Sequence, residues 1–164
     1  MEVDVQYALE EDEECIRDIP SPNLILRWVG AALSGERPDA ELTVRIVGLE
    51  EGSHLNESYR HKPGPTNVLS FPAELPPDVN VPLLGDLVIC APVVVREAAE
   101  QGKQLEAHWC HMVIHGTLHL LGHDHIGDDE ARRMEARERC VLSGLGYPDP
   151  YEGDFSLKNT GVLQ

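Results

Sequence analysis

Apolar and polar residues alternate over Val3, Asp4, Val5, Gln6 and Tyr7, the two-residue period of a half-buried strand. Beyond an acidic loop, Glu10 to Asp18, the period changes. Ser21 and Pro22 stand as cap and first position of a helix whose Leu24, Ile25, Trp28, Val29 and Leu33 form one broad apolar face, closed by Gly35 to Asp39. A second strand is expected over Glu41 to Val47, with Leu42, Val44 and Ile46 facing one way and Arg45 the other. A helix follows from about Glu50 to His61, weakened at its start by Gly52 and Ser53. Pro63 and Pro65 forbid its continuation, so Asn67 to Phe71 is expected as a short strand and Leu75 to Leu84 as a surface loop. Gly85 to Cys90 reads as a strongly apolar strand, and Pro92 opens a helix running to about Gln104. An apolar helix begins near Glu106. A charged amphipathic helix then spans Asp128 to Leu142, with Met134, Cys140, Val141 and Leu142 inward and Arg132, Arg133, Arg137 and Arg139 outside.

Strands interleaved with helices, followed by helices alone, predict an α+β fold with a small mixed sheet of four strands packed with helices. Residues 1–146 are expected to form one domain and 147–164 a C-terminal coil or tail. The 164 residues suffice for one core without disulfides. Cys15, Cys90, Cys110 and Cys140 lack any CxxC pair and read as reduced, mostly buried small hydrophobes. No apolar run is long enough to span a bilayer and the acidic N-terminus carries no targeting pattern, so no membrane partner and a cytoplasmic location are expected. GxGxxG and GxxxxGK[ST] patterns are absent, which removes dinucleotide and P-loop chemistry. A formal net charge of -16 argues against gripping nucleic acid over a broad surface, and no DNA partner is expected; any RNA contact must be local.

The candidate chemistry lies in HGTLHLLGHDH, His115 to His125. Positions four apart share a helix face, so His115 and His119 are neighbours. On an unbroken helix His125 would point roughly 240° away. Gly122 offers the left-handed conformation that ends a helix and folds the chain back. The three imidazoles then converge on one ion, at about 2.0 to 2.1 Å if it is zinc, with a position left for water. Burying several imidazoles among Met112, Val113, Ile114, Leu118, Leu120 and Leu121 without a common partner would cost desolvation energy. His111, one turn earlier, and His123, beside the turn, are expected to back the site or face substrate rather than add a fourth ligand. A site of three neutral histidines leaves zinc its full charge, which suits hydrolysis better than a closed structural role.

Gly116 stands where a metalloprotease HExxH motif carries its general base, so the ligand spacing is kept and the base is lacking. Asp124 is expected to orient a ligand through its other ring nitrogen or to assist water, or else to serve as a cap or face solvent. The clearest local positive region is Tyr59-Arg60-His61-Lys62, and Arg60 offers a planar fork matched to phosphate or carboxylate, or else a solvated helix end. Pro65, Thr66 and Asn67 present polar groups rigidly, and Ser70 either lines the cleft or satisfies the sheet.

HGTLHLLGHDH, with NESYRHKPGPTNVLSFPAE and GDLVIC, closely resembles the YbeY family of bacterial rRNA-maturation endoribonucleases. The resemblance implies a zincin-like metal helix and turn and one Zn2+ per chain held by His115, His119 and His125. It also implies an active-site arginine at Arg60. The implied activity is single-strand-specific cleavage in ribosomal RNA maturation, at the 3' end of 16S rRNA, and in ribosome quality control. The small ribosomal subunit or its proteins are the implied partners. Two other readings are a metalloprotease-like peptide hydrolase and a non-catalytic, zinc-stabilised ribosome assembly module.

Overall fold

A computed structural model describes residues 1–9 and 18–151, so most of the acidic loop expected over Glu10 to Asp18 lies outside the described residues. The elements in order are β1 (Glu2–Ala8), α1 (Pro22–Leu33), β2 (Glu41–Val47), α2 (Leu49–Arg60), β3 (Val68–Pro72), β4 (Leu83–Cys90), α3 (Ala91–Gln101), α4 (Leu105–Leu120) and α5 (Asp128–Gly144). Ser21 caps α1 as expected, its hydroxyl accepting from Leu24 N at 3.3 Å. Several ends differ from the reading of the pattern: β3 is shifted by one residue to Val68–Pro72, and α5 runs two residues beyond Leu142. β4 begins two residues earlier than Gly85, and α3 ends at Gln101 because the chain turns at Gly102.

The sheet is four-stranded and mixed, in the order β1-β2-β4-β3. β1, β2 and β4 run parallel, and β3 pairs antiparallel to β4 at one edge. Alternation along the strands divides the core. Leu42, Val44, Ile46, Leu87 and Ile89 enter the larger cluster with Trp28 of α1 and Trp109 and Ile114 of α4. Val88, Cys90 and Leu69 face the other way, with Val93 of α3 and Leu55 of α2. The sheet thus stands between α4 on one side and α2 on the other. Arg45, facing away from the larger cluster, clips α2 to the sheet through two bonds to Glu51, 2.6 and 2.9 Å.

α4 is the central helix and packs against α1, α3, α5, β3 and β4. Its contact with the sheet is too close for an ordinary side chain at one position. A Cβ on Gly116 would stand 2.8 Å from Leu87 Cδ2 and 3.0 Å from Val68 Cγ2. Ser70 satisfies a polar group across this same contact, its hydroxyl donating to the Gly116 carbonyl at 3.1 Å.

Residues 147–151 are not helical, yet they lie against the body. Tyr147 packs edge-on against Trp28, with ring centroids 6.2 Å apart, and its hydroxyl donates to Glu106 at 2.7 Å. Residues 152–164 lie outside the described residues.

Candidate metal centre

The end of α4 decides whether the histidines meet. Leu121 closes the helix and Gly122 adopts φ 101°; Gly122 N bonds to His119 O and His123 N to Leu118 O, each at 3.0 Å. This pair of bonds is the Schellman arrangement, which satisfies two terminal carbonyls while the chain reverses. Asp124 then accepts from His125 N at 2.6 Å and firms the turn. His123 is drawn away by Glu36, 2.8 Å from its Nε2, and so pins the turn to the loop after α1.

His115, His119 and His125 converge as the spacing implies, and one ring nitrogen from each lies within 4.8 Å of the others. Ring centroids are 4.6 Å apart for His115 and His119, 4.9 Å for His119 and His125, and 5.9 Å for His115 and His125. The Nε2 atoms of His115 and His119 face each other at 3.2 Å. Two ligands of a tetrahedral ion with bonds of about 2.05 Å stand roughly 3.3 Å apart, so this pair fits zinc without rearrangement. The donor set fits as well. Cys110 is buried in the core and its thiol is pushed up by burial, leaving nitrogen as the donor chemistry. Burial, then neighbouring His115 and His125, lowers the pKa of His119 and favours the neutral form that binds metal.

Glu138 of α5 was not singled out from the sequence, and it completes the arrangement. It is fully buried, and its Oε1 accepts from His115 Nδ1 at 2.7 Å and from His111 Nε2 at 2.9 Å. Burial would raise its carboxyl, but the two imidazole bonds outweigh that and hold it well below the usual range. The carboxylate can only accept, so Nδ1 of His115 carries the proton and Nε2 presents its lone pair toward His119. The orienting role expected of Asp124 belongs to Glu138: among the described residues Asp124 bonds to backbone and to no ligand ring. His111 backs the site, as expected, by sharing that carboxylate. The sequence carried a signal for Glu138. It falls four positions after Met134 and three and four before Val141 and Leu142, a charge on the apolar stripe of α5. Cys140, expected inward, is exposed, because six positions from Met134 is roughly 240° around the helix.

Arg60 ends α2, where a cation suits the helix dipole. It is exposed and makes no hydrogen bond or ion pair with any described residue. Among the described residues it makes no hydrogen bond to the histidines, and α2 and α4 pack on opposite faces of the sheet. What joins them is β3. Ser70 reaches α4, while the next residue, Phe71, packs edge-on against Tyr59, centroids 5.1 Å apart. Asn56, buried in α2, donates to Gly64 O at 2.8 Å and shapes the loop that carries Arg60, His61 and Lys62 to this edge. Asn67 is held by Glu97, which also bonds His108 of α4 at 3.0 Å.

The family model described as Endoribonuclease YbeY matches residues 8–146. The Endoribonuclease YbeY of Pseudomonas entomophila (strain L48) is 58% identical over 149 residues, covering 89% of this chain and 95% of its own. That of Pseudomonas fluorescens is 54% identical over 157 residues, 95% of this chain and 99% of its own. In fold, the chain is similar to the solution structure of TM1509 from Thermotoga maritima, with a TM-score of 0.52 and 23% identity over 87% of this chain and 91% of that one. By family match and by identity over nearly the whole length, the chain belongs to the YbeY endoribonuclease family.

Proposed function

We propose that the protein is a zinc-dependent endoribonuclease of ribosomal RNA maturation, acting on single-stranded RNA including the 3' end of 16S rRNA and serving ribosome quality control. The observation that carries this reading is the convergence of three imidazoles, one held by a buried carboxylate in the tautomer that points its lone pair at the others. His115, His119 and His125 would hold one zinc ion per chain. Bound there, zinc supplies Lewis acidity toward a phosphodiester and its attacking hydroxyl or water. Arg60 engages a phosphate with its planar fork and neutralises charge that develops on it. Asp124 is the carboxylate nearest in sequence to a ligand with an oxygen uncommitted by a described hydrogen bond, and it takes or returns a proton. With a net charge of -16, the chain meets RNA through a local contact, and the small ribosomal subunit or its proteins supply the rest of the binding. No helix among the described residues is long and apolar enough to cross a membrane.

Two features disfavour peptide hydrolysis. Position 116, where a protease of this helix pattern places its base, is a glycine pressed against Leu87 and Val68, where any larger side chain must displace them. A peptide would also recognise the β3 edge by adding a strand. The bonds Cys90 N to Asn67 O and Ala73 N to Leu84 O point odd-numbered residues at β4, so Val68, Ser70 and Pro72 turn outward. Val68 N is already taken by Asn67 Oδ1 at 2.7 Å, and Pro72 has no N–H. Ser70 alone in this strand offers an outward donor, too little to hold an extended peptide.

The test is cleavage of a defined single-stranded ribosomal RNA by zinc-loaded protein. Cutting is expected from the wild type and lost in both His115→Ala and Arg60→Ala. Unchanged cutting by those folded variants refutes the reading. Zinc binding and ribosome association without turnover would favour a structural assembly module instead.

A further inference from the structure

We infer that Glu138 and Tyr151 form a latch that holds His115 in its metal-binding tautomer and keeps the carboxylate itself from becoming a ligand, so that the strap after α5 is a working part of the metal centre. Both are positioning residues. The inference rests on the zinc-binding reading above and deepens it.

The carboxylate of Glu138 stands behind the triad, on the Nδ1 side of His115. Its two oxygens receive three donors. His111 and His115 share Oε1, and the Tyr151 hydroxyl donates to Oε2 at 2.7 Å. A buried carboxylate needs such partners, since removing one leaves charge without solvent or donor. The same geometry contains a rival. The donor atoms of His111, His115 and Glu138 also lie within 4.8 Å of one another, and they would take an ion through the opposite nitrogen of the His115 ring. Protons decide between the two sets. While Tyr151 and His111 both donate to the carboxylate, its charge is committed and Nδ1 of His115 keeps its hydrogen, leaving Nε2 as that ring's lone pair. Without the Tyr151 hydroxyl, Oε2 becomes an uncommitted anionic oxygen beside the imidazoles of His111 and His115, able to draw a cation to the wrong side.

Tyr151 is held in place by both polar ties and ring contacts. The strap ahead of it, Pro148 to Pro150, walls a cavity of about 520 Å³ that also reaches Lys103, His108 and His111. Asp149 is bonded to Arg139 Nε at 3.1 Å and accepts from Tyr151 N at 2.9 Å. The Arg139 guanidinium lies 5.1 Å from the Tyr151 ring centre, and His111 meets that ring edge-on at 5.5 Å between centroids. Arg139, Asp149 and Tyr151 therefore brace one another, and the hydroxyl is delivered to Glu138.

The experiment compares full-length wild type, Glu138→Gln and Tyr151→Phe by zinc competition against a chromophoric chelator, with the melting temperature of each zinc-free protein and the ¹⁵N shifts of His115. Glu138→Gln is expected to raise the zinc Kd by about 10- to 100-fold, and Tyr151→Phe by about 3- to 10-fold. In Tyr151→Phe the His115 shifts should move away from the pure Nδ1–H tautomer. The double variant should bind no more weakly than Glu138→Gln alone, because the hydroxyl acts through the carboxylate. If Glu138→Gln fails to fold, Tyr151→Phe, which loses a single oxygen, decides the matter alone. Lowered melting temperatures with zinc Kd and His115 shifts unchanged would make the latch purely structural and overturn the inference. Absence of zinc binding by the wild type would instead overturn the metal reading on which it stands.

Discussion

The two halves of the proposed site are built in opposite ways. The histidine side is determined several times over: a Schellman turn carries His125 back, Glu36 pins His123, and the buried Glu138 orients His115. The arginine side is left open. Arg60 is exposed, has no described partner, and keeps its side-chain freedom until a ligand arrives. Rigid placement suits donors that must meet at one ion, where an error of a few tenths of an ångström matters. A mobile cation suits a substrate with many phosphates, where the contact must form after binding. The teaching is that damage on the first side should appear in metal binding and stability, and damage on the second in turnover alone.

The largest effect should come from His119→Ala. Zinc affinity is expected to fall by more than about 100-fold, since even residues that only support a ligand cost 10- to 100-fold, and RNA cleavage should vanish with it. Metal retention at wild-type affinity would break the first half of the comparison. Arg60→Ala should lower kcat/KM by about 100- to 1,000-fold, the effect of removing one donor from developing charge, while zinc Kd and melting temperature stay put. Arg60→Lys should recover part of that loss, because it restores charge without the fork. A shifted melting temperature in either variant would mean that the arginine side is not open after all.

This contrast also explains what could be read from the chain. Strand alternation and helix stripes gave the elements and the mixed sheet, because each depends on neighbours a few positions away. The triad was legible for the same reason, being local to eleven residues with a glycine at the turn. Glu138 was not, because its partners lie 23 and 27 positions upstream, and it sits in a helix crowded with other acids. Its place on the apolar stripe was the one available sign. The strap reads as a tail because coil residues with prolines show no period, whereas Tyr147 and Tyr151 are isolated positions that act through one ring and one hydroxyl each. Arg60 stands out for its chemistry, yet no spacing in the sequence tells on which face of the sheet α2 lies.

Acid should separate the halves more gently. Burial is the largest cause lowering the pKa of His111 and of His119 below the ordinary value of 6.5. Below about pH 6.5 the unfolded chain therefore takes up protons that the folded, zinc-free protein resists. Its stability should fall as pH drops through that range. Glu138, with a lowered pKa, adds stability that is complete above its ordinary value of 4.5 and is lost only in stronger acid. Denaturant titrations of the zinc-free protein between neutral and mildly acidic pH check this; stability that rises on acidification contradicts it. Arg60→Ala should leave the profile unchanged. The smallest effect is expected for Gly116→Ala. Overpacking against Leu87 and Val68 costs about 1 to 3 kcal/mol, and the better helix former returns up to about 1 kcal/mol. A modest drop in melting temperature should result, with zinc affinity close to wild type.

The most direct test of the account is a crystal structure of the zinc-loaded protein with diffraction data on both sides of the zinc absorption edge. A single anomalous peak is predicted among His115, His119 and His125, bound through Nε2 of His115, with Glu138 still hydrogen-bonded to Nδ1 and no fourth protein ligand. A peak on the Glu138 side of His115, or His125 turned away from the ion, would contradict it.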